Sequence, residues 1–300
     1  METSSDVRKS VTTSAAGGSP VLVESVPEDP PIELCYFYHY MDLPEVGEVG
    51  TGWDLRETVD DYLGNLDFKG KRVLDVGTAS GFLTFAMEDR GAEVVSFDMA
   101  DGVQWNVVPF QGEKYRTKLI TETTSYMNTA VRNAYWFAHR RVGSKAKAFY
   151  GDLYALPEGL GPFDVAIVGM ILPHLRDPFL ALQNVCALRP EKVVVTQQCP
   201  LGDQPHALFM PDPAADPASS EIYFAWWVLT EQCLVNMLAV LGYRVVSIKR
   251  SMHRCRARTE DDAPAPPVPR SRFARRKPEP PAPASGMEEC SAIVAERIEG

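Results

Sequence analysis

The sequence predicts an α/β fold: a doubly wound sheet of seven strands, mostly parallel with the last strand antiparallel, and helices on both faces. Two observations predict it. From residue 71 onward, short apolar runs rich in β-branched residues alternate with amphipathic stretches, and several of the runs end in glycine or an acidic residue. Such alternation places strands side by side under covering helices. The chain has 300 residues, 45% of them hydrophobic, which suffices for one sizeable core.

The chain before the sheet divides into two segments. Residues 1–30 are small and polar and end in PEDPP, and we expect a disordered lead. Residues 31–69 form a cap segment with an aromatic cluster, CYFYHYMDLP, followed by a helix predicted over DLRETVDDYLGNL. The predicted helix is amphipathic, and its apolar face carries Leu55, Val59, Tyr62 and Leu63.

The predicted core covers residues 70–258 and 289–300. Its seven strands are predicted over KRVLDVG, AEVVSFD, AKAFYGD, FDVAIVG, EKVVVTQQ, YRVVSIKR and CSAIVAERI. Helices are predicted over GFLTFAMEDRG, residues 124–142, DPFLALQNVCAL and LTEQCLVNMLAVLG. Between the last two strands, residues 259–288 are Pro-rich with a basic centre, and we expect a disordered insertion at a hairpin tip. The long link 101–123 is predicted to act as a lid or a substrate loop.

Composition and charge narrow the function classes. The net charge is −10, which disfavours general binding to nucleic acid because phosphate contacts need clustered Lys and Arg. The six cysteines are scattered, with no CxxC pair, so we expect neither a disulfide framework nor a metal site. No run approaches the ~18 apolar residues of a membrane span, and we see no signal-peptide run. We therefore expect a cytoplasmic protein without membrane partners, and the abundance of Ala, Pro and Arg favours a bacterial source.

A glycine turn follows the first predicted strand in VLDVGTASGFL. Glycine lets the backbone turn sharply and approach a ligand at a helix N-terminus. Gly77 and Gly81 do not satisfy GxGxxG, the dinucleotide fingerprint, but they fit a looser D-x-G-x-x-x-G pattern that begins at Asp75. Asp98 ends the second strand, where a carboxylate can accept both hydroxyls of a ribose. An acidic residue at this position does not by itself distinguish a site for a dinucleotide from a site for another adenosine-containing cofactor.

The D-x-G-x-x-x-G pattern resembles motif I of the class I methyltransferases that use S-adenosylmethionine (SAM), a Rossmann-like family. In that family an acid at the end of the third strand, here Asp152, receives the adenine amino group, and the next residue, Leu153, packs near the ring. The end of the fourth strand, from Gly169 to His174, would lie beside the reacting methyl group. The resemblance implies SAM as cofactor and, as its binding residues, Asp75, Gly77, Thr78, Ala79, Gly81, Asp98, Met99, Asp152, Leu153 and Gly169.

Three longer stretches resemble one branch of this superfamily, which contains the tRNA wobble-uridine carboxymethyltransferase-like (DUF1698-type) enzymes and related small-molecule methyltransferases. They are YHYMDLPEVGEVGTGWDLRE, MILPHLRDPFLALQNV and WWVLTEQCLVNMLAVLGYRVV. The carboxymethylating enzymes have a Tyr directly before the His of the second stretch, where this chain has Pro173. That difference favours ordinary SAM over its carboxylated form. Ala79 replaces the middle glycine usual in motif I, a small change.

An oxygen nucleophile usually needs a base, and His is the common choice near neutral pH. His174, after the fourth strand, is the first candidate, and His39, in the aromatic cluster, is the second. The alternatives are a helix cap near Asp177 for His174 and ordinary packing for His39. We expect substrate contacts from Trp53, Arg56, Met170, Trp226 and Trp227. For the Trp pair the alternative is a core position, and for Arg56 a solvated helix.

Three functions are consistent with these residues. The first is methyl transfer from SAM to an oxygen or nitrogen of a small molecule, such as a specialised metabolite, by a monomer or homodimer. The second is a tRNA-modifying methyltransferase or carboxymethyltransferase, for which basic residues around 249–277 would form the electrostatic footprint. The third is a degenerate methyltransferase fold retained as a non-catalytic partner that uses its Pro-rich segment as a ligand.

Overall fold

The computed structural model describes most of the predicted core and the cap segment. The described ranges are residues 29–100, 114–200, 203–210, 225–256 and 285–298. The predicted lead up to residue 28, most of the predicted insertion (257–284), the first part of the long link (101–113) and the loop 211–224 lie outside the described residues.

The described elements alternate along the chain as the sequence predicts. The strands are β1 (Met41–Leu43), β2 (Gly47–Val49), β3 (Trp53–Asp54), β4 (Arg72–Val76), β5 (Glu93–Met99), β6 (Lys147–Gly151), β7 (Val165–Gly169), β8 (Lys192–Gln197), β9 (Ala207–Phe209), β10 (Trp227–Leu229), β11 (Tyr243–Arg256) and β12 (Ser285–Arg297). The helices are α1 (Val59–Tyr62), α2 (Phe82–Asp89), α3 (Lys114–Arg141), α4 (Pro178–Ala187) and α5 (Glu231–Val240).

The main sheet has the strand order β3-β11-β12-β8-β7-β4-β5-β6. Its seven long strands are the seven predicted ones, and β4 to β8 run parallel, while β12 is antiparallel to both of its neighbours. The predicted doubly wound α/β fold is therefore confirmed. One strand of this sheet was not predicted: β3 adds a short eighth strand at the edge, where Trp53 pairs with Cys255 and Asp54 with Arg254.

The predicted helix over residues 54–66 is wrong in extent, because only α1 is helical there. Asp54 is drawn into the sheet edge, and the segment ends in left-handed backbone at Gly64 (φ 72°) and Asn65 (φ 55°). The expected apolar face is nevertheless buried, with Leu55, Val59, Tyr62 and Leu63 each at most 5% exposed. Burial thus depends on the apolar spacing even where the backbone is a turn rather than a helix.

Three other boundaries differ from the prediction. Helix α3 begins at Lys114, so the second half of the predicted link is helical. Strands β11 and β12 are both longer than predicted, because they pair with each other from Tyr243 to Arg256 in a long hairpin. Residues 285–288, expected in the disordered insertion, belong to β12. The two strands on either side of residues 257–284 pair antiparallel with each other.

The core lies on both faces of the sheet. On one face, Leu182 of α4 and Leu234 of α5 pack with Leu74 of β4. On the other, Met87 of α2 packs with Val73, also of β4. Because its side chains are covered on both sides, β4 is held rigidly, and the turn that follows it has a fixed base. Within the described ranges, no helix is both long and apolar enough to cross a bilayer.

Candidate active site

A cavity of about 280 Å³ opens at the carboxyl ends of the parallel strands, where ligands bind in open α/β sheets. The glycine turn after β4 and the ends of β5, β6 and β7 form its floor. Side chains of α3 and of the cap segment form its walls. The cavity brings together residues predicted from five separate stretches of the sequence: His39, Trp53, Gly77, Ala79, Asp98, Met99, Asp152, Leu153, Gly169, Met170 and His174.

The glycine turn is bonded to the neighbouring strand rather than open to an anion. The N–H groups of Gly77 and Thr78 both donate to the carbonyl oxygen of Phe97, at 2.9 and 3.1 Å. The N–H of Ala79 donates to Asp98 Oδ2 at 2.9 Å, in a left-handed conformation at φ 49°. A dinucleotide pyrophosphate needs such N–H groups for itself. Their engagement here favours a cofactor without phosphate.

Asp98 is held in place by two backbone donors. Besides the bond from Ala79, its Oδ1 accepts the N–H of Met99 at 2.7 Å. Burial raises the pKa of the Asp98 carboxyl, and these two bonds act in the opposite direction. Each carboxylate oxygen has two acceptor positions, so capacity remains for two hydroxyl groups. The residue therefore fits the predicted contact with a ribose.

Asp152 and Leu153 lie at the far side of the same floor. Asp152 Oδ1 accepts the N–H of Tyr154 at 2.9 Å and so caps a short 3₁₀ turn, while Leu153 is buried beneath the cavity. Arg132 of α3 donates from Nη2 to the Met99 carbonyl at 2.9 Å, and its guanidinium lies 4.2 Å from the centre of the Tyr150 ring. Sequence reasoning missed Arg132, because its position depends on how α3 packs.

Three predicted cofactor residues support the turn from beneath instead of lining the cavity: Asp75, Thr78 and Gly81. Thr84 Oγ1 donates to Asp75 Oδ2 at 2.7 Å and lies 2.9 Å from Thr78 Oγ1. Burial raises the pKa of Asp75 to about 6. Gly81, at φ 92°, precedes α2. These residues shape the turn by hydrogen bonding and by backbone conformation.

His39 contributes a buried imidazole to the cavity wall. The residue is 7% exposed, and its Nδ1 has no hydrogen-bond partner among the described residues. Burial lowers the pKa of His39 to about 4, so the ring is neutral at physiological pH. Ser80 Oγ accepts the N–H groups of Tyr38 and His39, at 3.1 and 3.4 Å. The cap segment is thereby fastened to the glycine turn.

The end of β7 supplies the third wall. Met170 has a positive φ of 50° and donates its N–H to the Thr196 carbonyl at 2.7 Å. His174 ends the 3₁₀ turn Leu172–His174 and is half-buried at the cavity. A Cβ built on Gly169 would lie 3.1 Å from Tyr62 Oη, which brings that phenol close to the strand end.

Three predicted substrate residues lie outside the lining. Arg56 is bound by ion pairs to Asp42, Glu48 and Asp54, with N···O distances of 2.8–2.9 Å. The backbone N–H of Trp226 donates to the Pro173 carbonyl at 2.7 Å, and Nε1 of Trp227 donates to the Arg176 carbonyl at 3.2 Å. The two tryptophans brace the segment that carries His174 from behind.

The predicted site residues include none of the tyrosines that line the cavity, which are Tyr36, Tyr38, Tyr62, Tyr150 and Tyr154. The density of rings in CYFYHYMDLP was the available signal for the first two. The others come from strand ends and from α1, where a buried aromatic is equally consistent with a core position. No group of metal-ligating side chains that could hold an ion occurs within the described part of the chain.

Comparison with known proteins places most residues of this cavity within a known protein family. A family profile described as "Methyltransferase domain" matches residues 54–248. This match covers more than half of the chain and includes the glycine turn, Asp98, Asp152 and the end of β7. No curated protein matches the sequence significantly.

Solved structures of methyltransferases resemble the chain at low identity. The 1,6-didemethyltoxoflavin-N1-methyltransferase of Burkholderia thailandensis is 15% identical, with a TM-score of 0.46 over 82% of this chain and 78% of that chain. A SAM-dependent methyltransferase of Methanosarcina mazei is 15% identical, with a TM-score of 0.47 over 82% and 100%. The magnesium protoporphyrin IX methyltransferase of Synechocystis is 15% identical, with a TM-score of 0.44 over 80% and 82%.

Proposed function

Because the chain belongs to the methyltransferase-domain family and is a SAM-dependent methyltransferase, we propose that it methylates an oxygen or nitrogen of a small molecule. The observation that carries the proposal is the cavity that joins Asp98 and Asp152 to His39 and His174. One end of this cavity suits an adenosine, and the other offers bases beside an enclosed space.

The residues of the floor fit SAM. Asp98 would accept the ribose hydroxyls and Asp152 the adenine amino group, with Leu153 packed near the ring. The glycine turn, whose N–H groups already donate within the protein, suits a cofactor that carries no phosphate. When bound, SAM supplies a methyl group on a positively charged sulfur, which a nucleophile displaces without covalent help from the protein. The protein's contribution is therefore to align the acceptor and to accept its proton.

The two imidazoles are the candidate proton acceptors. His39 is buried and neutral, whereas His174 is half-buried near the cavity mouth. General-base catalysis of this kind contributes typically ~10²–10⁴-fold to a rate. We propose that one of them takes the acceptor's proton and that Trp53 and Met170 contact the acceptor, since both line the same end of the cavity.

Calorimetric titration with SAM, S-adenosylhomocysteine and NADH tests the cofactor assignment. We expect micromolar binding of the first two and none of NADH. Asp98→Ala should weaken both by at least tenfold, because the two ribose hydroxyls lose a charged acceptor, roughly 1.5–3 kcal/mol. Asp89→Ala, at an exposed position of α2, is the matched control and should bind normally. Binding of NADH alone, or equal affinities for the two variants, would refute the assignment.

A tRNA acceptor is the second candidate, supported by the resemblance to the wobble-uridine branch. Two of the basic residues that would form its footprint are already paired: Lys249 with Asp61 at 2.5 Å and Arg250 with Glu231 at 2.6 Å. With a net charge of −10, this leaves a weak electrostatic footprint. A mobility shift with bulk tRNA that disappears as salt rises would support this candidate; no shift at low salt would exclude it.

A non-catalytic role is the third candidate. The presence of Gly77, Asp98 and Asp152 in one floor supports retained cofactor binding instead. A protein that fails to bind SAM under all conditions would support the non-catalytic role.

We also propose a cytoplasmic location, because the six cysteines are scattered along the sequence and show no spacing typical of a disulfide framework.

A further inference from the structure

Charge is distributed unevenly around the cavity. Among its described lining residues, the groups with a formal charge are Asp98, Arg132 and Asp152. All three lie near the carboxyl ends of β5 and β6, Asp98 and Asp152 on the floor and Arg132 on the adjoining wall, at the end assigned to the cofactor. The opposite end, between the cap segment and the end of β7, has no Asp, Glu, Lys or Arg among its described lining residues.

This neutral end is built from aromatic rings. Its walls are Tyr38, His39, Trp53 and Tyr62, with Met170 beside them. The Tyr38 and His39 rings meet edge to face, with centroids 4.9 Å apart at 89°. Rings held at such angles present both faces and edges to a bound molecule. A flat aromatic molecule can stack on the faces and contact the edges, so it gains the most binding energy from them.

The chemistry of this end also limits the charge of its guest. An anionic acceptor would be desolvated at this end, where none of the described lining residues is a Lys or an Arg that could pair with it, and this costs several kcal/mol. An ammonium group has no lone pair on nitrogen and cannot act as a nucleophile. The reacting form is therefore neutral.

His39 supplies the polar contact that a neutral guest needs. Its Nδ1 is sealed from solvent without a described partner, which leaves Nε2 as the nitrogen that a bound molecule can approach. With the ring proton on Nδ1, Nε2 is a hydrogen-bond acceptor. The His39 backbone is fixed by Ser80 and by a β-bridge to Trp53, so the ring has a defined position.

We propose that the acceptor is an uncharged, flat aromatic molecule whose reacting O–H or ring N–H donates a hydrogen bond to His39. The inference rests on the proposed small-molecule methylation. As the acceptor's oxygen or nitrogen forms a bond to the methyl carbon with its own electron pair, its proton passes to Nε2 of His39. The bond between sulfur and the methyl carbon breaks, and its electron pair stays on the sulfur.

Calorimetry with three matched probes tests the proposal in the presence of saturating S-adenosylhomocysteine. The probes are 2-naphthol, which is flat and neutral, 2-naphthoate, which is flat and anionic, and decahydro-2-naphthol, which is neutral but not flat. We expect 2-naphthol to bind at least tenfold more tightly than either of the others. Binding of 2-naphthoate as tight as that of 2-naphthol, or no binding of 2-naphthol, would overturn the proposal.

Two variants of His39 test whether this residue accepts the proposed hydrogen bond from the bound molecule. His39→Phe keeps a ring of similar size but removes both nitrogens, and we expect tenfold weaker 2-naphthol binding with unchanged S-adenosylhomocysteine binding. His39→Asn retains an acceptor and should recover part of the affinity. His206→Phe, at an exposed position outside the cavity, is the control. Unchanged 2-naphthol affinity in both His39 variants would overturn the role of His39.

The cofactor titration separates failure of this inference from failure of the proposed function. If S-adenosylhomocysteine does not bind to the wild-type protein, the proposed function fails. If S-adenosylhomocysteine binds and the naphthol preference is absent, only the acceptor class is wrong. Thermal unfolding of each variant, measured with S-adenosylhomocysteine bound, confirms that the variants are folded.

Discussion

Asp75 lies beneath the glycine turn with 1% of its surface exposed, and its pKa of about 6 is set mainly by burial. Hydrogen bonds from Thr84 and Thr78 counter this effect only in part. A carboxyl whose pKa is higher in the folded than in the unfolded chain stabilises the fold most when it is protonated. The glycine turn is therefore built over a carboxyl whose ionisation weakens the fold near neutral pH.

This burial predicts a pH-dependent stability difference. The stabilising effect of a protonated Asp75 is fully present below about pH 4 and is lost as pH rises through about 6. Relative to Asp75→Asn, the wild-type protein should lose about 2 kcal/mol of unfolding free energy between pH 4 and pH 7. Urea denaturation across this range measures the difference, and Asp89→Asn corrects for the loss of one charge. A difference that is constant with pH would contradict the prediction.

Residues whose role depends on their place after a strand could be predicted from the sequence. Asp98 and Asp152 follow apolar runs, and the cavity contains both. Tyr62 and Arg132 could not be predicted, because each reaches the cavity through the packing of a helix against the sheet. Arg56 shows the opposite error: three nearby carboxylates hold it away from the cavity, and two of them belong to strands β1 and β2, which were not predicted.

At the scale of elements, the connection between β4 and α2 is sterically constrained at Gly81. Gly81 has a φ of 92°, and a Cβ built on it would lie 2.5 Å from Cζ of Phe85 and 2.9 Å from Cδ2 of Tyr135. Both rings are packed in the core, so neither can move freely. The start of α2 is thus determined both by backbone conformation and by the space available.

Gly81→Ala should therefore be costly. We expect a loss of about 2–4 kcal/mol of unfolding free energy, from overpacking added to backbone strain. Gly70→Ala is the matched control, since Gly70 also has a positive φ of 69° but nothing lies within 4 Å of its built Cβ. The control should lose only about 1 kcal/mol. Urea denaturation of both variants measures the two losses of unfolding free energy. Equal losses would show that the steric argument is wrong.

Helices and strands were predicted well where the hydrophobic periodicity extended over many residues. They were predicted poorly where pairing with a distant strand determined the backbone conformation. The seven long strands are all present, because buried β-branched runs have few alternatives in this context. The segment from Asp54 to Leu66 is amphipathic like a helix, yet pairing of Trp53 and Asp54 with β11 takes up its start. Local periodicity carries no information about a pairing partner that lies so far along the chain.

On the scale of the whole molecule, β11 and β12 form a hairpin that extends the sheet beyond β8. Their pairing extends to Arg256 and Ser285, which lie opposite each other. Strand β12 also pairs with β8 from Ser291 to Glu296, so the hairpin is anchored in the core. The chain between residues 257 and 284 therefore joins two backbone positions that are already adjacent.

Replacing residues 257–284 with a two-residue Asn-Gly turn should leave the fold intact. A type I′ turn closes adjacent antiparallel strands, and a shorter loop lowers the entropy cost of closure. We expect an unfolding temperature at least equal to that of the full chain and unchanged SAM affinity by calorimetry. A loss of SAM affinity in a folded protein would show that the segment serves the site. Replacement with a Gly/Ser segment of equal length is the control for length.

The wall of the cavity at Trp53 depends on Cys255 for its strand pairing, and His39 depends on Trp53 for its bridge. On the ribosome, Gly77, Asp98 and Asp152 are all translated before β7, whereas the strand that pairs with Trp53 is translated about a hundred residues after Asp152. The floor of the cavity and its wall at Trp53 are therefore encoded far apart in the order of synthesis. The strand pairing that fixes this wall cannot form until the final hairpin has been translated.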